Sequence, residues 1–142
     1  MKILAIHNFH RKGSASGDDQ VFKSETALLE SHGNQVIKYT VSNDEFDNAG
    51  LIGKLSATFG MLWSSKNYRA VRQMIEKEKP DIVMTDIKMP VMDGLELIEK
   101  IREQDQSTRI VLLTCYEEFS YLMRAMKLGV SDYILKLKMK PD

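Results

Sequence analysis

The chain has 142 residues, 20 basic and 20 acidic side chains, 43% hydrophobic residues and one cysteine, Cys115. An ordinary apolar fraction with 28% charged residues supports one globular domain over residues 1–142 and excludes wholesale disorder, and a lone cysteine excludes a disulfide framework. Zero net charge argues against nucleic acid or an anionic membrane as the main partner, since both reward a basic excess.

Met1 to Ile6 is followed at once by His7, Asn8, His10, Arg11 and Lys12, so no secretory leader or spanning segment is expected, and the expected compartment is the cytoplasm. Lys2 to His7 reads as a short buried strand running into a loop of small residues, Lys12-Gly13-Ser14-Ala15-Ser16-Gly17. Backbone N–H groups at the start of a helix bind anions, which makes Gly13, Ser14, Ser16 and Gly17 candidates for a phosphate loop. The same composition suits a flexible linker equally well. Asp18 and Asp19 open a segment whose apolar positions Val21, Phe22, Ala27, Leu28 and Leu29 recur near helical spacing, and His32-Gly33-Asn34 closes it as a C-cap. Val36 to Val41 is a second strand.

The polar, acidic stretch 42–50 suits an exposed connection. Leu51 to Trp63 reads as an extra helix, and a separate helix runs from about Tyr68 to Lys79 until Pro80 ends it. A strand over Asp81 to Asp86 follows, then a turn from Met89 to Gly94, a helix over Leu95 to Arg102 and a strand over Arg109 to Thr114. A helix from about Glu117 to Leu128 and a last strand from Asp132 to Leu135 complete the pattern. Alternating strands and helices predict a parallel sheet covered on both faces. Five strands fit the flavodoxin-like, Rossmann-like three-layer sandwich of order 2-1-3-4-5. Chemistry in such sheets sits at the carboxyl ends of the strands, here near His7, Asp86, Thr114 and Lys136.

The run Asp81-Ile82-Val83-Met84-Thr85-Asp86-Ile87-Lys88-Met89-Pro90-Val91-Met92-Asp93-Gly94-Leu95 resembles the phosphoacceptor strand and loop of bacterial response-regulator receiver domains. The likeness continues, in order and spacing, through Ile110 to Thr114, Tyr116 to Phe119 and Ala125 to Lys136. It implies that Asp86 takes a phosphoryl group, Thr114 bonds it through its hydroxyl, Lys136 is the pairing ammonium and Tyr133 is the switch aromatic. A histidine kinase or a small phosphodonor is the implied partner. Receivers hold Mg2+ with two acidic residues directly after the first strand, where this chain has His7 and Asn8. Asp86 with Asp18 or Asp19 is then the remaining set of metal candidates, and the implied activity is an impaired one.

Residues 1–83 look different. Ile6 to Phe9, Lys12 to Val21 and Leu28 to Val36 resemble the amino-terminal Rossmann domain of two-domain, family-4-like glycosyltransferases. The expectation is therefore a chimera, natural or engineered, with a glycosyltransferase-like half over 1–83 and a receiver-like half over 81–138. Such a chimera could be a structural assembly without activity, or keep residual binding of a sugar nucleotide or acceptor; the chain is too short for a complete glycosyltransferase, so no enzyme is expected. Receivers continue past the lysine with a last helix, whereas here only Leu137 to Asp142 follow. The last helix is expected to be missing, leaving a sheet face for the Leu51 to Trp63 helix or for a second copy in a homodimer.

Plainer readings stand beside these. His7 at a strand end reads as a residue making one hydrogen bond, and His7 with His10 is weak evidence for a metal. Cys115 has no recognisable catalytic partner and is expected to pack. Met84, Met89, Met92, Met123 and Met126 read as core filling, and Trp63 with Phe59 and Leu62 as cover for the sheet.

Overall fold

The computed structural model describes residues 1–9, 17–42, 57–89, 93–115 and 117–136, with 9, 18, 42 and 57–64 described by backbone alone. Strands β1 (Lys2–Phe9), β2 (Gln35–Ser42), β3 (Ile82–Asp86), β4 (Arg109–Thr114) and β5 (Asp132–Leu135) alternate with helices α1 (Gly17–Ser31), α2 (Ala57–Glu78), α3 (Gly94–Arg102) and α4 (Phe119–Lys127). The strands pair in parallel in the order β2-β1-β3-β4-β5. This is the flavodoxin-like sheet expected from the alternating pattern.

Ile3, Leu4, Ala5 and Ile6 of β1 are all buried, as a central parallel strand covered on both faces requires. Leu4, Ile6, Val83, Ile110 and Leu112 of the sheet pack on Val71 of α2, Leu95 and Ile98 of α3 and Ala125 of α4. Each fully buried Leu, Ile or Val contributes about 1.5–3 kcal/mol. Ile3, Ala5 and His7 alternate to the other face, where Phe22 of α1 lies against the His7 ring. Helix α3 starts where Asp93 accepts a hydrogen bond from the Glu96 N–H at 2.7 Å. Gly33 ends α1 in the left-handed region at φ 80°, and the Asn34 N–H donates back to the Leu29 carbonyl at 3.2 Å.

Two expected helices are one. Instead of breaking between Trp63 and Tyr68, α2 runs from Ala57 to Glu78, while 51–56 lie outside the described residues. Ser64-Ser65-Lys66-Asn67 suggests a break because Ser and Asn favour caps and turns. None of the four is Gly or Pro, however, and packing of Tyr68, Val71 and Ile75 on the core carries the helix through. Lys79 then turns into the left-handed region at φ 44°, just before Pro80. The role of Trp63, Phe59 and Leu62 as sheet cover concerns side chains outside the description.

The cysteine and two of the methionines also depart from expectation. Cys115, expected to pack, is exposed, because it is the first residue beyond the sheet edge. Met123 and Met126, expected in the core, are 39% and 63% exposed beside Phe119 at 71%. Residues 119, 123 and 126 share the outer stripe of α4, whose inner face is narrow enough for Ala125 to be its one buried residue. Met84 and Met89 are half-buried, and Met92 lies outside the described residues. No helix among the described residues is long and apolar enough to cross a membrane.

Candidate functional site at the carboxyl edge of the sheet

Register assembles the site. Ile6 of β1 pairs with Thr85 of β3, so the next residues, His7 and Asp86, emerge side by side, with His7 Nδ1 2.8 Å from Asp86 Oδ2. On the other side Asp86 pairs with Leu113 of β4, and Thr114 pairs with Leu135 of β5. Lys136 is therefore the first residue past the same edge. Its backbone N–H donates to the Thr114 carbonyl at 2.6 Å, and its Nζ reaches Asp86 Oδ1, also at 2.6 Å.

Gly94 lets α3 begin directly over this strand end. A Cβ there would lie 2.0 Å from the Asp86 carbonyl oxygen, closer than any side chain permits. Its N–H donates to the Ile87 carbonyl at 2.6 Å, tying helix and loop together.

Helix α1 supplies the opposite wall through side chains three apart on one face. Asp19 Oδ1 is 3.1 Å from His7 Nε2. The Phe22 ring stacks on the imidazole with centroids 4.5 Å apart and 9° between planes. Glu25 Oε2 lies 3.8 Å from Lys136 Nζ. The side chains of His7, Asp19 and Lys136 are only 3%, 6% and 6% exposed, so each charge must be met by a partner within the protein.

The ionisation of the group follows. Burial pushes the Asp86 carboxyl up, but the His7 hydrogen bond and the Lys136 ammonium outweigh it and hold Asp86 below the ordinary carboxylate range. Burial works against the Lys136 charge, and Asp86 reverses it and raises the lysine. His7 is raised in the same way: burial opposes its charge, and the bonds to Asp86 and Asp19 prevail. Glu25 is raised by burial, with Lys136 acting in the opposite direction.

Of the residues singled out from the sequence, Asp86 and Lys136 are in direct contact. Thr114 is buried at the adjacent strand end, 3% exposed. Tyr133 stands opposite Leu112, half-buried against the core and two positions back from the edge. Asp19 does fold back past the loop, yet it meets His7 rather than Asp86. Gly17 opens α1 with open space where a Cβ would be; Gly13, Ser14, Ser16 and His10 lie outside the described residues, as does the side chain of Asp18. The reading of His7 as making one hydrogen bond is corrected, since both ring nitrogens have carboxylate contacts. Glu25 was missed. Its only signal is the spacing of 19, 22 and 25, which becomes meaningful once α1 is known to face the sheet edge.

A hard divalent cation such as Mg2+ takes oxygen ligands in near-octahedral geometry, normally including one or two carboxylates. The residues present do not fit it. Each Asp86 oxygen already faces a nitrogen donor, and the imidazole stands between Asp86 and Asp19. Among the described residues Asn8 Oδ1 is buried without a hydrogen-bond partner; Asn8 alternates to the opposite face and lines a cavity of about 30 Å³ with Ile6, His7, Tyr39 and Val71. Among the described residues no group of three or more His, Cys, Asp or Glu is arranged for a metal ion. The imidazole thus separates Asp19 from Asp86, while Asp18, the other acidic candidate, has its side chain outside the described residues.

Comparison with known proteins agrees with the edge geometry. The family model described as the response regulator receiver domain matches residues 43–141. The chain is 40% identical over 88 residues to the transcriptional regulatory protein YesN of Bacillus subtilis, covering 62% of this chain and 24% of that protein. It is 32% identical over 102 residues to the chemotaxis protein CheY of Halobacterium salinarum, covering 72% and 85%. The BeF3-activated receiver domain of Klebsiella pneumoniae RstA superposes with a TM-score of 0.60 at 26% identity, covering 99% of this chain and 88% of that one. The chain spans 24% and 32% of the first two curated relatives it matches.

These findings overturn the chimera. The receiver match begins at residue 43, inside the supposed glycosyltransferase half 1–83, and the RstA receiver covers nearly the whole chain. The misreading has a physical source: a strand, a glycine-containing loop, a helix and a parallel strand make the same βαβ unit in many doubly wound folds. The family match over 43–141 and the 32% identity across most of a CheY protein show that the chain belongs to the response regulator receiver domain family of two-component signalling.

Proposed function

We propose that the chain is a phosphoacceptor module in which Asp86 takes a phosphoryl group from a histidine kinase or a small phosphodonor in the cytoplasm. The observation that carries this reading is the Asp86 carboxylate at the carboxyl edge of the sheet, held ionised and 2.6 Å from the buried Lys136 ammonium. With acetyl phosphate, an Asp86 oxygen attacks phosphorus, the bond from phosphorus to the acetyl oxygen breaks, and acetate leaves an aspartyl phosphate behind. Lys136 then pairs with charge on the transferred group, the Thr114 hydroxyl bonds it, and Tyr133 is the switch aromatic.

Both Asp86 oxygens carry a cationic contact at rest, so one must open before attack. Phosphorylation is accordingly slow. Intact-protein mass after incubation with acetyl phosphate, with and without Mg2+, tests the reading beside Asp86→Asn. One phosphoryl adduct on the unmodified chain and none on the variant is the expected result; no adduct on either, or equal adducts on both, would sink it.

A further inference from the structure

His7 occupies the place of an acidic residue, yet its surroundings are those of a cation. Nδ1 and Nε2 lie 2.8 and 3.1 Å from oxygens of Asp86 and Asp19. An ionised carboxylate only accepts hydrogen bonds, and a neutral imidazole has a single N–H. Satisfying both contacts with two ionised carboxylates therefore takes the imidazolium. The stacked Phe22 ring fixes the imidazole plane so that both N–H vectors run along the line from α1 to β3. Lys136 takes the remaining Asp86 oxygen, and Glu25 is the further acidic group beside Lys136.

We propose that His7 is a built-in cation standing in the place of the divalent ion: clamped between Asp19 and Asp86, it neutralises the site from within and keeps magnesium out. The inference goes beyond phosphoryl acceptance. It concerns only what balances the charge of Asp86, and holds whichever way the phosphorylation test falls.

The clamp also says what its removal does. In His7→Asp the cation is lost and a third carboxylate enters between Asp19 and Asp86, giving an oxygen-rich set of the kind hard cations take. Mn2+ binding, counted from the electron paramagnetic resonance signal of the free ion with Mg2+ as competitor, compares the unmodified chain with His7→Asp. The expected result is no binding by the unmodified chain at millimolar Mn2+ and binding at least about tenfold tighter by the variant. Binding by the unmodified chain as tight as that of the variant overturns the proposal.

A measurement on the unmodified chain covers the case in which the variant fails to fold. Nitrogen-15 NMR of the His7 ring at neutral pH should show both nitrogens protonated and unmoved by Mg2+. One unprotonated nitrogen, or line broadening of the His7 and Asp86 signals by substoichiometric Mn2+, overturns it as well.

Discussion

Burial alone would lower the proton affinity of His7, and its hydrogen bonds to Asp86 and Asp19 raise it above its ordinary value of 6.5. A group whose folded value lies above its unfolded one binds more protons in the folded state, so stability falls as pH rises through that range. The stabilisation from His7 is complete below its unfolded value and is lost as pH rises through the folded value. Asp86 is held low, so its contribution is lost only in acid, and Lys136 is raised above 10.5. As pH rises from 6.5 through the higher folded value, the difference in urea-unfolding free energy between the unmodified chain and His7→Asn should therefore shrink. A difference that stays constant over that range would mean that the imidazolium contributes no net stability. At this scale Asp86 was legible in the sequence because its neighbours form a long motif. The double contact of His7 was not, because Asp19 lies beyond a loop whose path no local pattern determines.

Among the elements, the junction of α3, β4 and α4 is held by one buried side chain. Arg102, 8% exposed, donates to the carbonyls of Leu128 at 3.0 Å, Asp105 at 3.0 Å, Thr108 at 2.9 Å and Gly129 at 3.1 Å. The guanidinium thus satisfies the carbonyl-rich C-terminal end of α4 and the turn that leads into β4. Replacing it with Leu strands these acceptors in a partly buried place, and unsatisfied groups of this kind cost about 1–3 kcal/mol each before water reaches them. Arg102→Leu should destabilise the chain by about 2–4 kcal/mol, read as a lowered midpoint in urea unfolding with an unchanged slope. A loss under about 0.5 kcal/mol would show that water replaces the arginine freely. The nearby Glu99–Arg124 pair at 2.8 Å is more than two-fifths exposed on both sides, and exposed pairs are worth about 0–1 kcal/mol. The elements themselves were largely legible: β4 and β5 fall at their expected residues and α3 within one. The merged helix α2 was not, because Ser and Asn signal a cap locally while the core decides whether the helix continues.

For the whole molecule, the sheet is unevenly defended. β1 and β3 are flanked by strands on both sides and carry side chains with no exposed surface, such as Leu4 and Val83. β5 closes one edge, with Ile134 45% exposed. Native-state hydrogen exchange should find the Leu4 and Val83 amides exchanging only through global unfolding, and β5 amides through smaller local openings. Equal protection across β3 and β5 would show instead that the edge opens only with the whole domain.

What the amino-acid sequence determined by itself is the order and type of the elements, the parallel sheet and the Asp86 motif, including Gly94. Each is encoded in spacings of a few residues: the period of a strand or helix, a turn, a cap. Tertiary structure alone decided that Asp19 and Glu25 return to the edge on one face of α1, and that His7 rather than a metal-binding carboxylate faces Asp86. Those contacts join residues far apart in the chain. They exist only because β1, β3, β4 and β5 run in a common register and α1 docks across their ends, a relation set by packing the whole sheet at once.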